Sequence, residues 1–107
     1  MATEFCVLAT APSAAEADAI AAALVERRLA ACVQIVGPVA SVYRWQGRVE
    51  RAEERLLVVK TTAAAYPQVE AAIRELHSYQ CPEIVALPIV AGSDDYLGWL
   101  RGEIGDG

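Results

Sequence analysis

Asparagine is absent from this 107-residue chain; lysine, histidine, phenylalanine and methionine occur once each, and only three cysteines are present. Each scarcity removes a class of function. Lys60 and a handful of dispersed arginines stand against fourteen acidic residues, a net charge of −5. No basic stripe exists to neutralise phosphates, which excludes a nucleic-acid partner. Cys6, Cys32 and Cys81 form no C-x-x-C, so neither a zinc knuckle nor a thioredoxin-like pair can be drawn. Each thiol taken singly reads as reduced and buried. There is no Gly-rich phosphate loop, nucleophile elbow or H-E-x-x-H. Glu53, Glu54 and Glu83 are carboxylates without a nucleophile to serve, so the chain does not read as an enzyme. Its apolar runs are broken by Gln34, Gly37 and Pro38, or by Pro88 and Gly92, well short of a bilayer crossing. The N-terminal stretch lacks a basic region and an apolar core of signal length. The expectation is a cytoplasmic protein without a membrane partner.

What is present is apolar: 55% of residues are hydrophobic. That composition is globular, and residues 1–107 are enough for one domain around one core.

"EFCVLAT" reads as a strand ended by Ala11-Pro12. Ser13 and Glu16 form the two halves of a capping box, after which Ala17, Ile20, Ala21 and Leu24 recur at helical spacing. Arg27 and Arg28 close that helix where cations favour the negative end of its dipole. "ACVQIVGPVASVYRW" is a long strand with a bend at Gly37-Pro38. Gln46-Gly47 turns it into a second long strand, "RVERAEERLLVVKTT". The charges from Arg48 to Arg55 suit a solvated hairpin tip. A second helix carries Tyr66, Val69, Ile73 and Leu76 on one stripe, with Pro67 tolerable only in its first turn. "EIVALPIV" is a fourth strand, and Ser93 caps a last helix with Tyr96, Leu97, Trp99 and Leu100. The fold class is α+β: a β-α-β-β-α-β, ferredoxin-like sandwich with a long β2–β3 hairpin and a C-terminal helix.

Two helices cover one face of such a sheet. Yet Leu56 to Val59 and Ile84 to Leu87 are apolar at both parities, and Ile35 and Val36 are adjacent apolar residues of opposite parity. A half-wet strand should alternate. No segment is left over to cover the second face, so another copy of the chain is expected there.

"ATAPS", "LAACVQI", "VYRWQGRVE", "LLVVKTT", "HSYQCPEIVALPI" and "DYLGWL", in this order, resemble the CutA1 family of divalent-cation tolerance proteins over nearly the whole chain. The resemblance implies a homotrimer of ferredoxin-like subunits. It also implies a non-catalytic role with copper or another divalent cation, one not required for folding. By matching position it draws Cys32, Trp45, Lys60, His77, Tyr79, Glu83 and Trp99 toward clefts between subunits. The sequence departs where some members carry a cysteine before Thr-Ala-Pro and a His-His pair: here Ala9 and Leu76 stand there, and His77 alone remains. Cys81 and Gln34 are lesser departures.

His77, Cys81 and Glu83 are the candidate metal ligands, an imidazole with a thiol that favours Cu(I). The competing reading makes His77 a cap for the last carbonyls of its helix. Lys60 shares parity with Leu56 and Val58, so its stem follows an apolar face and its ammonium must find an anion or water. Glu83 on another strand would supply it, or an anionic ligand would, as in trimeric PII-like sensors with a pocket of Lys60, Glu83, Tyr79 and the tryptophans. Trp45 and Trp99 read as interface anchors or ligand-stacking surfaces.

Overall fold

The computed structural model describes residues 2–105. Its elements run β1 (Glu4–Ala11), α1 (Ala14–Glu26), β2 (Cys32–Trp45), β3 (Arg48–Thr62), α2 (Tyr66–Leu76), β4 (Ile84–Pro88) and α3 (Asp94–Glu103). The strands form one antiparallel sheet in the order β2-β3-β1-β4. This is the ferredoxin-like sandwich expected from the element order. Among the described residues no helix is long and apolar enough to cross a membrane.

Strand parity decides which side chains meet the helices. Val7, Ala9 and Ala11 of β1 and Leu57 and Val59 of β3 are fully buried. They pack in one cluster with Ala17, Ile20 and Leu24 of α1 and Val69 and Ile73 of α2. Burial of each large aliphatic side chain there contributes roughly 1.5–3 kcal/mol. Phe5 meets Tyr66 edge-on, with ring centroids 6.1 Å apart.

Local chemistry sets the ends of the elements. The Ser13 hydroxyl accepts from the Glu16 amide at 3.1 Å. The reciprocal half of the expected capping box is replaced, because the Glu16 carboxylate turns to the segment after α2 and accepts from the Ser78 amide at 2.9 Å. Gly37-Pro38 marks a register shift between Val36 and Val39, where the bend was expected. The β2–β3 turn places Gln46 and Gly47 at φ 51° and 79°.

Two expectations are corrected. Arg28 does not serve its own helix: its guanidinium donates to the carbonyls of Glu103 and Gly102 at 3.2 Å, capping the end of α3. Nor is the second sheet face wholly uncovered. Arg101 of α3 reaches Glu4 at 3.1 Å, Tyr96 lies beside Cys32 and Cys6, and Leu100 is fully buried. Glu4 and Cys6 have the parity opposite to Val7, so α3 covers one corner of that face. On that face Val36, Val85 and Leu87, on the edge strands, remain 47–51% exposed.

Candidate functional site

β1 stops at Ala11, opposite Arg55, while β2 and β3 stay paired out to Trp45 and Arg48. The hairpin therefore overhangs the sheet, and the connection from α2 to β4 folds back beside its root. Between them lies a cleft of about 590 Å3. Tyr43 and Trp45 of β2, Glu54 of β3, and Tyr79, Cys81 and Glu83 of the returning connection line it.

His77 fastens that connection. Its Nε2 lies 2.6 Å from the Thr10 carbonyl oxygen, and its Nδ1 is 3.0 Å from the Tyr79 amide nitrogen. A carbonyl only accepts and an amide N–H only donates, so Nε2 carries the ring proton and Nδ1 offers its lone pair. The Glu16 carboxylate stands 3.3 Å from Nδ1 and also accepts from the Ser78 hydroxyl at 3.0 Å. His77 is thus neither open to solvent nor a cap on the carbonyls of α2. It ties the end of that helix to the end of β1.

Tyr79 stacks obliquely on this imidazole, with centroids 4.8 Å apart, and its hydroxyl donates to Glu54 Oε2 at 3.0 Å. The phenol is pushed up to about 12, chiefly by burial and then by the Glu54 hydrogen bond and charge. Glu54 is 5% exposed. The charged ladder is therefore not uniformly solvated: Glu54 shares parity with Leu56 and Val58, and that parity was the available signal.

Trp45, Tyr79, Cys81 and Glu83 come together at the cleft, with His77 behind them. Cys32, Lys60 and Trp99 do not line it. Lys60 sits opposite both Cys6 and Cys32 and donates to Gln34 at 3.1 Å rather than pairing with Glu83. Glu83 precedes β4, which β1 separates from β3, so the sheet order keeps the two apart within one chain. Trp99 packs on Tyr96 along α3. Sequence reasoning missed Tyr43, Thr10 and the turned carboxylate of Glu16, none of which carries a local signal. Among the described residues, no group of three or more His, Cys, Asp or Glu side chains is assembled to hold a metal ion.

Sandwich and cleft together define a small ferredoxin-like α+β protein with an acidic, aromatic-walled recess beside its projecting hairpin. Residues 5–103 match the model of the CutA1 divalent ion tolerance protein family, and the chain belongs to that family. It is 54% identical over 99 residues to the divalent-cation tolerance protein CutA of Thermus thermophilus, covering 92% of this chain and 96% of that one. The human protein CutA is 39% identical over 92 residues, and the match spans 86% of this chain but only 51% of that protein. Among solved structures, the Thermus thermophilus divalent cation tolerance protein superposes with a TM-score of 0.94, covering 95% of this chain and 99% of that one. CutA from Xylella fastidiosa gives 0.94 at 35% identity, covering 96% and 99% of the two chains. The Thermus thermophilus relative is named for tolerance of divalent cations, not for a reaction.

Proposed function

We propose that this chain forms a cytoplasmic homotrimer that binds copper or other divalent cations and catalyses no reaction. The observation that carries the metal reading is that Cys81 and Glu83 line one cleft with Glu54. A thiolate with carboxylates suits copper or zinc better than magnesium or calcium. His77 joins the ligand set only by giving up the Tyr79 amide or the Thr10 carbonyl. Cys81 and Glu83 are therefore the primary donors, and a neighbouring subunit supplies the rest. Self-association is supported by the uncovered apolar side chains on the two edge strands: Val85 and Leu87 of β4 are 47% and 51% exposed. An unpaired edge with apolar flanks is a ready surface for another chain.

Calorimetric titration of the reduced protein with copper and zinc, beside Cys81→Ser and Glu83→Gln, tests the metal reading. Saturable binding lost in both variants supports it; binding unchanged in both rejects it. Sedimentation equilibrium tests the assembly: three chains of 11.4 kDa are expected, falling to one in Leu87→Lys. Cell fractionation tests the location, since the Archaeoglobus fulgidus relative is described as periplasmic. The anionic-ligand reading has no such support, because the cleft is lined by two carboxylates and Lys60 lies elsewhere.

A further inference from the structure

Glu54 is the least expected charge in the molecule. It is 5% exposed, it receives one hydrogen bond from Tyr79, and among the described residues it forms no ion pair. Withdrawing a carboxylate from water without a cation beside it is costly. The charge faces a cleft whose volume, about 590 Å3, is that of a small-molecule site. A second carboxylate, Glu83, lines the same space, and no lysine or arginine is among the described lining residues. Tyr43 and Trp45 stand on the hairpin side and Tyr79 on the other, three side chains of the kinds whose ring faces attract cations.

We infer that this cleft binds a small organic cation carrying N–H donors, an alkylammonium or guanidinium compound, with its charge against Glu54 and its carbon frame between Trp45, Tyr43 and Tyr79. The carboxylate supplies charge and two acceptor oxygens, one of them already fixed by the Tyr79 hydroxyl. The aromatic walls supply what a hydrated metal ion does not need, namely area for a desolvated cation with an apolar body. The inference goes beyond the metal reading and does not rest on it, because Cys81 has no part in holding the organic ligand.

The test is calorimetric titration of the full chain with agmatine, which bears both an ammonium and a guanidinium group. Pentane-1,5-diol serves as the neutral control and glutarate as the anionic one. Saturable agmatine binding is expected, with neither control bound. Affinity should fall at least about tenfold in Glu54→Gln and in Trp45→Leu. Cys81→Ser should leave it unchanged. Glu54→Gln retains an acceptor for Tyr79, and Trp45 is 43% exposed, so its variant reads the site even where Glu54→Gln folds poorly. Absence of saturation, equal binding of the diol, or native affinity in both variants overturns the inference.

Discussion

The His77 imidazole donates from Nε2 to the Thr10 carbonyl at 2.6 Å, joining residues 67 positions apart and fixing which ring nitrogen bears the proton. This bond ties the end of α2 to the end of β1, and through the Tyr79 amide it sets the wall of the cleft. The one histidine of the chain is a structural pin at the border of the candidate site, with its side chain removed from solvent.

Removing that pin leaves a buried carbonyl and an amide without partners, and an empty space where the ring was. His77→Ala is expected to destabilise the fold by about 2–4 kcal/mol. Urea unfolding at neutral pH measures it. A loss below about 0.5 kcal/mol would show that water replaces the ring without cost.

Tyr79 contributes a distinct alkaline limit. A phenol whose folded value is raised keeps its proton in the native state after the unfolded chain has lost its own. Its stabilisation is complete below the unfolded value of 10.0 and is lost as pH rises to about 12. Since 37% of the residue stays exposed, the effect is modest. Urea midpoints between pH 9 and 12 should fall less steeply in Tyr79→Phe than in the native chain. Tyr66 and Tyr96 are also raised, mainly by burial, so a residual slope is expected in the variant.

Glu4 gives the acid limit. Hydrogen bonds from Thr3 and then Arg101 hold its carboxyl below the usual 4.5. A depressed carboxyl stabilises above its unfolded value and loses that contribution as pH falls through the folded one. Arg101→Ala should therefore lower the urea midpoint at pH 7 and have a smaller effect at pH 3. An equal effect at both values would assign the loss to the packing of α3 instead.

The hairpin turn offers a gain. Gln46 sits at φ 51° before Gly47, a left-handed position that asparagine tolerates better than glutamine. Gln46→Asn is expected to raise stability by a few tenths of a kcal/mol without changing agmatine or metal binding. Thermal unfolding of the two proteins side by side checks it.

The elements were legible in the sequence because each rests on neighbours. Ser13 and Ser93 cap through residues three positions on. Gln46-Gly47 turns the hairpin, and the stripe of Ala17, Ile20 and Leu24 needs only helical spacing to find one side of α1. Val36, Val85 and Leu87 likewise announced an apolar second face, though not that α3 would take one corner of it.

The partnerships were settled by tertiary structure alone. Glu16 belongs to a capping box by spacing, yet its carboxylate serves Ser78, 62 residues away. Lys60 and Glu83 are opposite charges that the strand order keeps apart within the chain, and Arg28 closes α3 through the Glu103 carbonyl, 75 residues away. Glu54 reads as one more charge in a solvated ladder until the returning connection lays Tyr79 on it. The physical reason is common to all four. Spacing fixes which side of an element a residue occupies, whereas the partner of a charge depends on which elements lie side by side once the core has closed.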